Sequence, residues 1–248
     1  LMIFFMPRSA VYLAAKQKPT AQIRRLLLRI NPNADLDNAR FSAEVPQPST
    51  TGQDSPIGMV LGAHFRAGSV LLWLADFFGL IIFYGLINWL PILFKEANMS
   101  AELGARVSGL FALGGLGAVA SGYLMDKFNG NKLVALLALL SAASVALIGW
   151  AMVHGVAALA GVILFAGVVY NTMQASLPAL AAQFYPVECR STGVSWMLGI
   201  GRFGAIAGTF LTGQLLAWKL DYTVIFMILA LPALVVAVCL LIKQKRYG

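Results

Sequence analysis

From residue 67 to residue 242 the chain alternates six long apolar stretches with short polar turns. The stretches cover about 67–94, 104–125, 132–153, 156–184, 192–217 and 223–242. Each reaches the roughly 20 residues that a helix needs to cross a hydrocarbon core. None shows the two-residue alternation of a barrel strand, so the pattern predicts membrane helices. Trp89-Leu90-Pro91 marks the end of the first stretch, and Pro178 predicts a kink in the fourth.

The 7–66 segment is polar by comparison. Within 21–30, Ile23, Leu26, Leu27 and Ile30 fall on one side of a helix and Arg24, Arg25 and Arg29 on the other, which predicts a surface helix. The stretch 46–56, rich in Ser, Thr, Gln and Pro, reads as a flexible linker. Residues 1–6 are apolar but too short to span, and they read as the tail of a helix that starts further upstream. The expected organisation is therefore the end of a truncated helix at 1–6, a central loop at 7–66 and a six-helix bundle at 67–248.

Composition fixes the class. Hydrophobic residues make up 59% and charged residues 11%, with a mean hydropathy of +0.79, whereas soluble domains carry about 25% charged residues. The net charge of +8 is concentrated in the 7–66 segment and in short loops, so it sets topology and is no sign of nucleic-acid binding. With 7–66 on the cytosolic side, alternation puts Lys127, Lys132, Arg190, Lys243, Lys245 and Arg246 on that side as well. Only Lys95, Arg106 and Lys219 remain opposite. That asymmetry follows the positive-inside rule and predicts a cytosolic C-terminus. Cys189 and Cys239 give no disulfide framework.

A partial helix, a long basic loop and six spans resemble the middle and second half of a major facilitator superfamily transporter. Such folds pair two six-helix halves around a central site. Gly122-Tyr123-Leu124-Met125-Asp126-Lys127-Phe128, between the second and third stretches, resembles that superfamily's Gly-x-Leu-x-Asp-Arg-x-Gly-[Arg/Lys] loop in its second-half copy. Lys127 replaces the usual Arg and pairs without a bidentate fork. The resemblance implies that Asp126 belongs to a cytosolic latch between the halves.

A longer run narrows the resemblance. Tyr185-Pro186-x-x-x-Arg190-x-Thr192-Gly193, followed by Trp196, Gly199, Gly201, Arg202 and Gly204, resembles the aromatic acid:proton symporter family. Asn88-Trp89-Leu90-Pro91 resembles that family's Trp-Leu-Pro, and Pro7-Arg8-x-x-x-Tyr12-Leu13 with Arg24-Arg25-Leu26 resembles its central loop. The resemblance implies proton-coupled uptake of aromatic carboxylates such as benzoate or hydroxybenzoate across a bacterial inner membrane, by alternating access. It places Arg190 with Asp126 and Lys127 in the cytosolic gate, and it implies an N-terminal six-helix half as partner. The same fold also serves carriers of other organic acids, sugar acids or drugs, and a non-transporting membrane subunit is a further alternative.

The residues point to a site without the family. At about 1.5 Å of rise per residue, Arg202, Asp76 and Gln174 each lie roughly 15 Å from the cytosolic end of their stretch, and charges at that depth mark function. Arg202 offers a planar fork for a carboxylate. Asp76 pairs with Arg202 in the empty site or takes up the coupled proton, since an apolar setting disfavours a free carboxylate. Gln174 and Asn171 supply hydrogen bonds, Tyr84 and Asn88 share one helix face, and Trp196, Tyr170 and Phe203 offer aromatic surfaces to a ring substrate. Gly114, Gly115, Gly117, Gly204 and Gly208 predict close helix contacts. His64 and His154 do not pair, and no metal-ligand cluster, nucleotide loop or nucleophile motif appears, so no cofactor and no enzymatic activity are expected. Gly199-x-Gly201-x-x-Gly204 lies inside a span and lacks the strand–turn–helix setting of a dinucleotide fold.

Overall fold

A computed structural model describes residues 20–30, 55–96 and 99–247. The readings on 1–6, on the 7–19 part of the loop and on most of the linker lie outside these. The chain divides into two compact units, Leu1–Asp54 and Ser55–Gly248. In the first, helix α1 covers Thr20–Ile30, where the periodicity predicts it.

The second unit is all helix among its described residues. Its elements are α2 (Pro56–Leu61), α3 (Arg66–Glu96), α4 (Ala101–Leu113), a 3-10 segment (Gly114–Ala120), α5 (Ser121–Lys127), α6 (Gly130–Val153), α7 (Val156–Phe184), α8 (Val187–Ala217) and α9 (Tyr222–Tyr247). A helix satisfies its own backbone hydrogen bonds, which is what a hydrocarbon solvent demands. Five of these helices are long and apolar enough to span a membrane, and α4 with its 3-10 extension and α5, bent by 44°, makes a sixth when the bent pair is counted as one span. The chain is a multi-pass membrane protein with the helical content of half a major facilitator fold.

Local signals set the ends. Ser55 accepts a hydrogen bond from the Gly58 amide, with Pro56 at the first helical position, so α2 begins inside the stretch that reads as linker. Ser100 caps α4 through the Leu103 amide, and Asn129 caps α6 through the Lys132 amide. Gly155, at φ 100°, takes a turn closed to most side chains before α7. Helix α3 passes through Pro91 and ends at Glu96, and α7 runs as one helix past Pro178.

Packing follows two pairs. Helix α3 lies along α8, and α6 along α9. Glycines set the first: a Cβ at Gly204 would collide with the Phe77 carbonyl, and one at Gly208 with the Ile81 carbonyl. Glycine also sets a separate contact of α7 with α4 and the 3-10 segment, where a Cβ at Gly114 would meet the backbone of Gly167 and one at Gly167 that of Phe111. Outward positions on α6 and α9, among them Leu136, Leu147, Met227, Leu231 and Val238, are exposed and apolar, as a surface facing lipid tails requires.

Gly204→Leu should push α8 off the Phe77 carbonyl and cost about 1–3 kcal/mol. A thermal melt of the purified variant in detergent checks this. A melting point equal to that of the parent would contradict the close approach.

Candidate functional site

The cleft that gathers the predicted polar residues is walled by α3, the 3-10 segment, α7 and α8. Its volume is about 390 Å³, and its lining includes Asp76, Phe83, Gly115, Asn171, Gln174 and Leu198. Asp76 is only 1% exposed. Its Oδ1 accepts a hydrogen bond from Gln174 Nε2 at 2.7 Å, while its buried Oδ2 has no partner among the described residues. A buried carboxylate oxygen without a donor is costly. It is a place for a proton or for a donor from a ligand.

The chain builds this spot by subtraction. Gly201 on α8 faces Asp76, and a Cβ there would collide with the carboxylate. Gly79, one turn further along α3, leaves room for the Gln174 amide in the same way. Tyr170 donates to the Gly79 carbonyl at 2.7 Å and contacts Gln174 Oε1 at 3.4 Å. Asn171 donates to the carbonyls of Phe111 (3.0 Å) and Gly167 (2.7 Å), tying α7 to α4. Phe83 stacks on Tyr170 at 6.1 Å and Tyr170 on Phe111 at 5.7 Å. The result is a polar triad of Asp76, Gln174 and Asn171 beside an aromatic stack.

Asp76, Gln174 and Asn171 therefore meet at the cleft, Tyr170 lies fully buried behind them with no face open to a ring, and the other predicted side chains stand apart. Arg202 is exposed on α8 and makes no ion pair with Asp76, whose partner is Gln174. The expected pairing in the empty site does not form, because Gly201 and not Arg202 sits on the side of α8 that meets α3. Arg202 follows Leu198 by one turn on the same side of α8, and Leu198 lines the cleft. Trp196 stacks on Trp73 at 5.8 Å. Asn88 donates to Thr209 Oγ1 at 3.1 Å, tying α3 to α8 beyond the cleft, and the exposed Tyr84 lies edge-on to Phe83. Gly115 differs from its expected packing role: a Cβ added there would meet only the Asn171 side chain, at 3.9 Å, and Gly115 lines the cleft.

The gate residues share no contact among the described residues. Asp126 and Lys127 are exposed, and Lys127 lies 5.9 Å from the Phe128 ring. Arg190 Nε donates to the Tyr185 carbonyl at 3.2 Å. Tyr185 is buried, gives its hydroxyl to Ser69 Oγ at 2.8 Å and fills the space that a side chain at Gly193 would need. Tyr185, Arg190 and Gly193 of the 185–204 run thus lock the α7–α8 turn. Sequence reasoning missed Leu80, Phe83 and Leu198 as lining residues, because apolar residues in an apolar span give no signal.

The Major Facilitator Superfamily pattern matches residues 101–247, and this chain belongs to that superfamily. It is 38% identical to the 4-hydroxybenzoate transporter PcaK of Acinetobacter baylyi, over 98% of this chain and 53% of that protein. Identity to the gallate transporter of Pseudomonas putida is 37%, over 97% of this chain and 53% of that protein. A benzoate transport protein of Acinetobacter baylyi is 31% identical over 98% of this chain and 52% of its own length. The chain spans about half the length of these curated relatives.

Gln174→Leu should strip Asp76 of its donor and lower stability by about 1–3 kcal/mol. Adding Asp76→Leu should recover part of that loss. Denaturation of the two single variants and the double variant gives the coupling energy, and a value of zero would mean that the Asp76–Gln174 bond contributes nothing.

Proposed function

We propose that the whole protein is a proton-coupled carrier that takes up aromatic carboxylates by alternating access, with this chain as its C-terminal half. The observation that carries the reading is the cleft of about 390 Å³ in which a buried carboxylate, two amides and the Phe83 ring converge. The likeness to hydroxybenzoate, gallate and benzoate transporters supplies the substrate class. The coverage of about half of each relative supports a second six-helix half that closes the site. The distribution of Lys and Arg supports a cytosolic C-terminus in a bacterial inner membrane.

The roles follow from the chemistry available. The Arg202 guanidinium holds the carboxylate of the substrate. Asp76, with one oxygen free, takes the coupled proton. Gln174 and Asn171 present their amides to ring substituents, and Phe83 lies against the ring. Trp196, Tyr84 and Asn88, outside the cleft in this half, would contact the substrate only once the second half closes on them. Asp126, Lys127 and Arg190 form the cytosolic gate with that half, Arg190 while bracing its own turn. Transport without a chemical change of the substrate calls for no cofactor and no catalytic group.

The full-length protein, reconstituted in vesicles with an imposed inward pH gradient, should accumulate labelled 4-hydroxybenzoate. Arg202→Ala should lower uptake ~100-fold, the scale of one lost charge-assisted contact, with unchanged insertion. Asp76→Asn should flatten the dependence of uptake on pH. Near-normal uptake by Arg202→Ala would remove the carboxylate assignment, and an unaltered pH profile for Asp76→Asn would return that residue to packing.

A further inference from the structure

A second cleft lies at the end of the bundle that carries the α7–α8 turn, away from the residues of the Asp76 site. It has a volume of about 370 Å³, and its lining includes His64, Asn131, Gln183, Phe184, Lys243 and Tyr247. Lys243 is 4% exposed. Its ammonium donates to Asn131 Oδ1 at 2.9 Å and lies 4.8 Å from the Phe184 ring. An ammonium has three donors. The other two have no acceptor, and no carboxylate pairs with Lys243, among the described residues.

The backbone at this spot also favours an anion. The cleft borders the start of α6, where Gly130 and Asn131 occupy the first helical positions. Helix geometry leaves their N–H groups without intrahelical acceptors, while the Asn129 cap serves the Lys132 amide instead. The first turn of α6 contains no acidic residue to meet that positive end. Asn131 is held in place by Gln244, whose Oε1 accepts from its amide at 3.0 Å. Tyr247 fixes the opposite wall by donating to the His64 carbonyl at 2.9 Å. Lys245 and Arg246 extend the basic charge at the end of α9. A buried cation with spare donors, beside a helix start without its own acid, is left electrostatically incomplete by the protein.

We propose that this cleft binds a phosphate group, with Lys243 as its counter-charge and the start of α6 as its second contact. A lipid headgroup phosphodiester and free phosphate present the same chemistry, and basic pockets between membrane helices are known to suit headgroups. Occupancy would clamp α6, α7 and α9 together at this end of the bundle, which binding reads out as added stability.

The test uses the full-length protein in a phosphate-free maltoside detergent. Melting points are measured with phosphatidylglycerol, with inorganic phosphate against chloride of equal ionic strength, and with diacylglycerol as a phosphate-free lipid. Phosphatidylglycerol, inorganic phosphate or both should raise the parent melting point by about 4 °C or more near saturation, and diacylglycerol should not. A response to phosphatidylglycerol alone assigns a headgroup, and a response to inorganic phosphate assigns the free anion. Lys243→Met should abolish the shift. Should that variant fail to fold, Gln183→Glu supplies a carboxylate to the cleft from an exposed position and should abolish it equally. The proposal falls if neither phosphate source shifts the parent, if diacylglycerol matches phosphatidylglycerol, or if the variant that folds retains the parental shift.

Discussion

Asp76 stands where it does because Gly201 has no side chain. Helices α3 and α8 approach until backbone meets backbone at Gly204 and Gly208, and one turn earlier the same ladder of small residues leaves a gap the size of a carboxyl group. In lipid, where hydrophobic attraction between helices is absent, such close packing is a main source of helix association. The structure spends that contact on placing a polar group, which then needs Gln174 from α7. Three helices are therefore tied to one another through one side chain, and the walls of the cleft are fixed by the same contacts that fix the fold.

The α7–α8 turn shows the same economy. The Tyr-Pro run that resembles a family signature carries a buried tyrosine, a glycine that makes room for its ring and an arginine that caps its carbonyl. These residues act on the geometry of the turn, and so on how α7 and α8 present Gln174 and Leu198. A motif can thus be specific to a family while its residues work on the site at a distance.

The broad architecture was legible because hydrocarbon imposes a coarse code: length and apolarity give the spans. Asp76, Gln174 and Asn171 were legible because polar groups in such spans are rare enough to be counted. What the chain could not show in one dimension was rotation about each helix axis. Arg202 and Gly201 are neighbours in sequence, yet about 100° of helix separates their directions, and that angle decides that the glycine, not the arginine, meets Asp76. The break in the second span was also hidden. Gly114, Gly115 and Gly117 read as packing residues, and only the fold shows Gly114 pressed on Gly167 while Gly115 opens to the cleft. Lys243 read as one more topology charge, since burial of a cation near a helix end leaves no mark in sequence.

The separation of Arg202 from Asp76 bears on the proposed mechanism. Two opposite charges in direct contact would neutralise each other, and an incoming carboxylate would have to break that pair before binding. Here the carboxylate of Asp76 is engaged by a neutral amide, and the guanidinium stands on the exposed side of α8. In the proposed mechanism, a substrate anion then meets Arg202 without displacing Asp76, and a proton reaches the free Asp76 oxygen without displacing the substrate. With Asp76 on α3, and Arg202 on α8 one residue from the glycine that meets Asp76 but on a different face, the proposed mechanism lets anion and proton enter as separate events. In that mechanism Gln174 would be the element through which each senses the other, since it holds Asp76 and lines the same cleft.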